Sequence, residues 1–340
     1  VKKVIAIAYT SYLICQWIFL SSCIILYNKK ILSEGFPFPV TLVCIHMAFV
    51  SACAFTWKAM GWEKVPDTTL NSWLTGFLPV GLCFAGSLGL SNAAYLHISV
   101  AFIQMIKAST PVIVLLLSFG FGIETPNRTL TVYIFLISFG VLLSCLNQVE
   151  GTLAGVLLQV AALLCEATRL CLVNILLASK GLQLSPIASL YYIAPTSLLC
   201  LLPAWTMIEA PAVLAEGGIA FAKVGLLSLV LNASVAFTLN LATMALIKHT
   251  SALTLNVAGV VKDLLLILWS VVVNGALVAP LQYIGYAIAF SGVTGYSAYK
   301  RGQQQAKAKA AELATLAPAA EEPDEGESAR LLGSDKKDAA

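Results

Sequence analysis

The stretch LNVAGVVKDLLLILWS, Leu255 to Ser270, decides the fold class. It is apolar enough to cross a bilayer, yet it carries Lys262 and Asp263 side by side near its middle. A charge at bilayer depth costs at least ~2.5–3.5 kcal/mol on insertion scales. An interaction of these two residues must offset that cost, which makes them candidates for function.

Composition extends this conclusion to the whole chain. Of its 340 residues, 59% are hydrophobic and only 11% are charged, and the mean hydropathy is +0.87. Soluble domains average roughly 25% charged residues, so we interpret the chain as an integral membrane protein. A net charge of +3 without a basic run gives no indication of a nucleic-acid partner.

Apolar runs between glycine, proline and charged breaks predict an all-α polytopic membrane protein with ten transmembrane helices. A spanning helix needs ~20 predominantly apolar residues. We expect the spans at 5–28, 38–58, 70–93, 98–119, 129–147, 151–179, 186–208, 221–245, 251–274 and 280–299. The composition then changes to Ala, Gln, Glu, Lys and Pro, which predicts a disordered tail over 301–340.

The distribution of lysine and arginine predicts the orientation. If the N-terminus is cytosolic, nine of these residues flank the cytosolic ends of the spans and three flank the opposite ends. Cytosolic loops are enriched in positive charge. We therefore expect both termini in the cytosol.

A weak internal likeness predicts two repeats. SVAFIQMIKASTP in helix four and SALTLNVAGVVKDLL in helix nine both start at serine and reach a lysine, Lys107 and Lys262, 155 residues apart. Repeats with an odd number of helices are inverted across the membrane, an architecture of transporters with a midplane site. We expect five-helix repeats over 1–148 and 149–300.

The charges inside the predicted spans indicate an anionic ligand. They are three cations and two anions: Lys107, Arg169, Lys262, Glu166 and Asp263. An anion would balance the surplus, and lysine suits phosphate as a flexible point charge. We therefore predict that Lys107 and Lys262 bind a substrate phosphate.

The other three charges have structural alternatives. Glu166 and Arg169, three residues apart, can form an ion pair that either fixes helix six or belongs to the ligand site. Asp263 points ~100° away from Lys262 on a helix. We expect Asp263 to bond a neighbouring helix as a structural charge partner.

Polar and aromatic neighbours extend the predicted site. Gln104 lies three residues before Lys107 on the same stripe, and Thr110-Pro111 weakens the backbone ladder just beyond it, which favours a hinge. Tyr191 and Tyr192 can stack on a base or sugar, or they pack in an aromatic belt. We include Gln104, both tyrosines and Arg169 among the substrate contacts.

The sequence predicts no enzyme, metal site or cofactor. The three histidines are scattered, and no H-E-x-x-H, G-x-S-x-G or Walker-type glycine loop occurs. The nine cysteines form no C-x-x-C pair.

Four stretches, YNKKILSEGFPFPVTLVCIHM, SVAFIQMIKASTP, EATRLCLVNILLASKGLQLSPIASLYYIAP and SALTLNVAGVVKDLL, resemble the triose-phosphate translocator and nucleotide-sugar transporter family of the drug/metabolite transporter superfamily. The resemblance covers residues 5–300. It implies ten helices in two inverted five-helix repeats and strict exchange of an organic phosphate for another phosphate. It also implies that Lys107 and Lys262 hold the phosphate and that Ser91 contributes a hydroxyl.

Two departures from that family shape the functional hypothesis. Plastid phosphate translocators carry arginine where this chain has Asp263, and tyrosine where it has Leu239. We therefore expect a nucleotide-sugar antiporter that exchanges a UDP-sugar for the nucleoside monophosphate. The alternative is a sugar-phosphate/phosphate exchanger of the triose-phosphate translocator type.

The tail bears on localisation. Residues Glu327, Leu331 and Leu332 match an acidic dileucine sorting signal, which predicts contact with a sorting adaptor. We expect the protein in the Golgi or a related endomembrane, with the plastid envelope as the alternative.

Overall fold

The computed structural model describes residues 2–123, 125, 127–145, 152–180, 185–216, 218–249, 252–273, 275 and 278–316. The described residues form helices and contain no strand. In chain order the helices are α1 (Lys2–Glu34), α2 (Pro39–Ala59), α3 (Leu70–Ser72), α4 (Leu78–Ala94), α5 (Val100–Lys107), α6 (Thr110–Gly120), α7 (Arg128–Cys145), α8 (Leu153–Lys180), α9 (Pro186–Ile208), α10 (Ala210–Ala215), α11 (Ile219–Val224), α12 (Leu226–His249), α13 (Ala252–Val272) and α14 (Pro280–Leu316).

The chain is an all-α polytopic membrane protein. Within the described residues, seven helical stretches are long and apolar enough to cross a bilayer, and the apolar stretch of α7, Arg128–Ser144, is shorter. A helix also occupies each of the two remaining predicted spans, α13 at 251–274 and α14 at 280–299. The number of ten spans stays a prediction.

Local sequence explains where several helices begin and break. The hydroxyl oxygens of Ser99 and Ser185 accept hydrogen bonds from Phe102 N and Ala188 N, and so cap α5 and α9. The predicted break beyond Lys107 is present, because α5 ends there and α6 begins at Thr110. A π-helical turn over Trp73–Phe77 joins α3 to α4.

The structure differs from the sequence prediction beyond residue 300. Helix α14 continues to Leu316, so residues 301–316 of the expected disordered tail are helical. The predicted sorting signal at Glu327, Leu331 and Leu332 lies outside the described residues. The chain divides into one unit over Val1–Ser297 and a second over Ala298–Ala340.

Small residues bring two helices into backbone contact. A Cβ atom at Gly140 of α7 would lie 2.6 Å from Gly285 O of α14, and one at Gly285 would lie 2.5 Å from Ser144 N. Ser144 Oγ donates a hydrogen bond to Gln282 O across the same interface at 3.3 Å. Close packing through small residues and hydroxyl bonds is the usual way in which helices associate in a membrane.

A large apolar cluster packs together the ends of several helices. It joins the end of α1 and the start of α2 to the end of α4 and to α5, with Phe36, Leu42, Tyr95 and Ile103 buried inside it. Polar bonds reinforce this cluster: Lys29 Nζ donates to the carbonyl oxygen of Tyr95. The helix ends in this cluster are therefore tied together both by burial and by hydrogen bonds.

Candidate functional site

A cavity of about 580 Å³ lies among α1, α4, the α5–α6 break, α8, α13 and α14. Its size is in the range of small-molecule sites. The lining residues are Trp17, Phe84, Ser87, Leu88, Ser91, Lys107, Ala108, Thr110, Pro111, Val114, Gln159, Ala162, Leu163, Glu166, Leu170, Gly259, Lys262, Asp263, Tyr286, Phe290, Val293, Tyr296 and Ser297. Leu163 and Tyr286 also belong to the large apolar cluster, which therefore borders the cavity.

Lys107 lines this cavity from the break between α5 and α6. Its carbonyl oxygen accepts a hydrogen bond from Thr110 Oγ1 at 2.6 Å, which stabilises the turn. Among the described residues, no acceptor lies within hydrogen-bonding or ion-pair distance of Lys107 Nζ. The helix break thus places a cation without a bonded partner on the cavity wall.

Lys262 and Asp263 of α13 both line the cavity and form an ion pair, with Nζ 3.0 Å from Oδ1. The expectation that Asp263 turns away and bonds a neighbouring helix is therefore wrong. The long, flexible lysine stem bends back toward its neighbour, although the two Cα–Cβ bonds diverge. The contact lacks hydrogen-bond geometry, because Asp263 Oδ1 has no hydrogen-bond donor among the described residues.

Trp17 of α1 forms the wall beside Lys262. Its indole Nε1 donates a hydrogen bond to Thr243 Oγ1 at 2.9 Å, which fixes the ring. Lys262 Nζ lies 5.8 Å from the ring centroid, within the range of a cation–π contact. Gly259 faces the ring without crowding it, since an added Cβ would lie at an ordinary contact distance of 3.9 Å from Trp17 Cη2. Sequence reasoning missed Trp17 because a tryptophan inside an apolar span has no distinguishing pattern.

Glu166 and Arg169 form the expected ion pair within α8. Two guanidinium nitrogens of Arg169 donate to the two carboxylate oxygens at 3.0 and 2.5 Å, and Ser87 Oγ donates to Glu166 Oε2 at 3.2 Å. Glu166 lines the cavity, whereas Arg169 lies outside the set of described lining residues and sits over the Phe84 ring. Of the two alternatives, this geometry favours a structural bridge for Arg169 over a substrate contact.

Ser91 reaches the cavity, but Gln104 does not. Ser91 Oγ donates a hydrogen bond to Gln159 Oε1 at 3.2 Å, and both residues line the cavity. Gln104 is 0% exposed, and neither of its amide atoms has a bonding partner among the described residues. Gln104 therefore does not line the cavity beside Lys107 in this structure, and its role as a substrate contact stays a prediction.

Tyr191 and Tyr192 lie away from the cavity. Lys58 Nζ donates to Tyr191 Oη at 3.3 Å, and Tyr192 Oη donates to the Pro66 carbonyl at 2.5 Å while its ring stacks on Phe77. They join α9 to α2 and to the segment before α3. In this structure both side chains contact neighbouring segments and lie outside the described cavity lining, and their role as substrate contacts stays a prediction.

Taken together, the cavity is suited to an anion with an apolar or polyhydroxylated body. Lys107 lies within electrostatic range of Lys262, Asp263 and Glu166. Arg169 neutralises Glu166 and Asp263 neutralises Lys262, so one positive charge, that of Lys107, remains. Ser91 and Gln159 add polar groups, and aromatic rings supply the apolar wall.

Comparison with known proteins gives consistent likenesses. A model of the triose-phosphate transporter family matches residues 8–297. The chain is 41% identical to a probable sugar phosphate/phosphate translocator of Arabidopsis thaliana over 100% of its own length and 95% of that protein. Two further probable sugar phosphate/phosphate translocators of Arabidopsis thaliana are each 42% identical to it, over 90% and 93% of this chain and 88% of each relative.

Proposed function

Because the chain belongs to the triose-phosphate transporter family, and is therefore a membrane transporter and not an enzyme, we propose that it exchanges a sugar phosphate for inorganic phosphate. The observation that carries this proposal is the cavity in which Lys107 and Lys262 are the two lining lysines among the described residues. A phosphate bound there would supply the counter-ion that Lys107 lacks.

The comparisons and the site both favour the sugar-phosphate alternative over the nucleotide-sugar hypothesis. Three similar proteins carry the name of probable sugar phosphate/phosphate translocators. Tyr191 and Tyr192, which the sequence offers as a stacking surface for a base, both lie outside the described cavity lining. A sugar phosphate needs only the charged and hydroxyl-binding groups that the cavity supplies.

We propose that residues 1–148 and 149–300 are inverted repeats that rock about this site. If the two halves are equivalent, α1, α2, α4 and α6 of the first half correspond to α8, α9, α12 and α13 of the second, in that order. The pairs α4–α8, α4–α9 and α6–α8 then become α12–α1, α12–α2 and α13–α1, and all six pairs are in contact. This correspondence supports a pseudo-two-fold axis through the cavity, the arrangement that alternating access uses.

We further propose that both termini face the cytosol and that the protein resides in the Golgi or a related endomembrane. The excess of lysine and arginine at one set of span ends supports the orientation. The acidic dileucine sequence supports the endomembrane over the plastid envelope.

An exchange assay tests the proposed activity. Purified protein is reconstituted into liposomes loaded with triose, pentose or hexose phosphate, UDP-, GDP- or CMP-sugar, UMP or inorganic phosphate, and uptake of labelled phosphate and, separately, of labelled UMP is measured. We expect the sugar phosphates to drive uptake. In Lys107→Gln the rate should fall by at least about tenfold, because a charge-assisted bond of ~1.5–3 kcal/mol is lost.

Lys64→Gln is the matched control, because Lys64 is an exposed lysine outside the cavity and should leave the rate unchanged. Uptake driven by UDP-sugar or UMP and not by any sugar phosphate would restore the nucleotide-sugar hypothesis. Unaltered exchange by Lys107→Gln would remove Lys107 from the site.

A further inference from the structure

The ion pair between Lys262 and Asp263 gives the substrate site an anion of its own. The two side chains are 13% and 20% exposed, so both are largely withdrawn from bulk water. The Trp17 ring lies beside the same ammonium group, with its centroid 5.8 Å from Nζ. A substrate phosphate and the Asp263 carboxylate are therefore alternative partners for the same nitrogen.

The geometry of the ion pair allows another anion to replace the Asp263 carboxylate beside Lys262. Nζ and Oδ1 are 3.0 Å apart, yet the contact lacks hydrogen-bond geometry, and Oδ1 accepts no hydrogen bond among the described residues. A charge-assisted hydrogen bond of good geometry is stronger than such a contact. Phosphate oxygens, which can align with the lysine donors, can replace the carboxylate without breaking a strong bond.

This arrangement bears on what happens when no cargo is bound. A transporter must carry its site through a closed intermediate, in which uncompensated charges are costly because water is excluded. With two lysines and no anion, that passage would require a bound phosphate, and transport would be obligatory exchange. Here Asp263 neutralises Lys262 whenever no phosphate lies there, which leaves Lys107 as the uncompensated cation.

We propose that Asp263 is a built-in counter-ion that lets this transporter reorient without cargo, so that exchange is preferred but not obligatory. The inference rests on the proposed function, since it concerns phosphate at the same two lysines. It assigns to Asp263 a positioning role: the residue acts on transport through the charge and orientation of Lys262.

Liposomes with and without internal substrate test the proposal. For wild type, uptake of labelled phosphate or sugar phosphate should be fastest with internal phosphate, and clearly above protein-free liposomes when only buffer is inside. In Asp263→Asn the uptake into buffer-loaded liposomes should fall by about tenfold or more, because Lys262 loses its partner. Exchange should persist, with a several-fold lower KM for phosphate, since the competing carboxylate is gone.

Three further variants sharpen the test. Asp263→Thr is a second neutral change and should behave like Asp263→Asn, whereas Asp263→Glu keeps the charge and should retain uptake into buffer-loaded liposomes. Asp67→Asn is the matched control, because Asp67 is an exposed aspartate outside the cavity. A purely structural role for Asp263 would lower both kinds of flux together and would not decrease the KM.

The outcomes distinguish the counter-ion role of Asp263 from the proposed exchange activity. Wild-type uptake that depends entirely on internal substrate overturns the counter-ion role and leaves the proposed exchange intact. Equal uptake into buffer-loaded liposomes by wild type, Asp263→Asn and Asp263→Thr overturns it as well. Absence of exchange by wild type with every phosphate compound overturns the proposed function itself.

Discussion

Replacing Lys107 and Lys262 by methionine, one at a time, should change the stability of the protein in opposite directions. Lys107 Nζ has no bonded acceptor among the described residues, so Lys107→Met removes an uncompensated cation. Lys262 pairs with Asp263 at 3.0 Å, so Lys262→Met leaves a carboxylate without its counter-ion. Methionine is apolar and unbranched, and fills the space of the lysine stem.

The magnitudes follow from the exposure of the groups. A cation at the bilayer centre costs ~2.5–3.5 kcal/mol on insertion scales, and the cavity gives Lys107 partial access to water. We expect Lys107→Met to raise the free energy of unfolding by about 1–2 kcal/mol. Breaking a fully buried ion pair costs ~3–5 kcal/mol, and since Lys262 and Asp263 retain 13% and 20% exposure, Lys262→Met should lose about 2–3 kcal/mol.

Thermal unfolding of the purified protein in detergent, followed by tryptophan fluorescence, measures both effects. Without phosphate, the melting temperature of Lys107→Met should exceed that of wild type, and that of Lys262→Met should be lower. A ligand at one hundred times its Kd stabilises a protein by about 2.7 kcal/mol. Wild type should show that upward shift with a saturating sugar phosphate, and both variants should lose most of it.

The matched control is Lys64→Met, an exposed lysine whose replacement should leave the melting temperature and the phosphate shift unchanged. A lower melting temperature for Lys107→Met than for wild type would refute the view that Lys107 lacks a counter-ion. A full phosphate shift in either cavity variant would refute the assignment of that lysine to the phosphate.

Three further substitutions test the surroundings of the site. Tyr192→Phe removes one hydrogen bond outside the cavity, so it should cost about 1 kcal/mol of stability and leave the exchange KM unchanged; a raised KM would return Tyr192 to the substrate site. Asn28→Ala removes the donor to Asn92 Oδ1 and the acceptor for Asn232 Nδ2, both in buried residues, and should lower the free energy of unfolding by about 1–3 kcal/mol for each atom left unsatisfied; an unchanged melting curve would contradict this. Gly285→Leu forces a side chain against the α7 backbone and should prevent recovery of monodisperse protein in size-exclusion chromatography, whereas a well-folded variant would disprove the close contact.

The length and apolarity of the spans made the helices predictable, because backbone polar groups in a bilayer must be satisfied within the segment. The break after Lys107 followed from Thr110-Pro111. The helix over 301–316 is not predicted in this way, since a composition too polar to form a core indicates disorder. Alanine, glutamine, lysine and glutamate are nevertheless good helix formers, and burial is a separate requirement from helix formation.

The site was predictable in its charges but not in the directions of its side chains. Charged residues inside an apolar span stand out in any sequence, and Lys107, Lys262 and Glu166 all line the cavity. Whether a side chain faces the cavity depends on helix breaks and packing partners, which a stripe of residues does not contain. Gln104 and Tyr192 therefore lie outside the described lining, whereas Trp17, which has no distinguishing pattern in the sequence, belongs to it.

The two lysines occupy equivalent places in the proposed repeats, but their surroundings differ in a way that bears on transport. Lys107 follows a break between two helices, whereas Lys262 lies inside the continuous helix α13 and has Asp263 beside it. Lys107 depends on the cargo for a counter-ion, whereas Lys262 has one in Asp263. Exchange and net transport are then two outcomes of one site, and the partner of Lys262 at the moment of closure, phosphate or Asp263, selects between them.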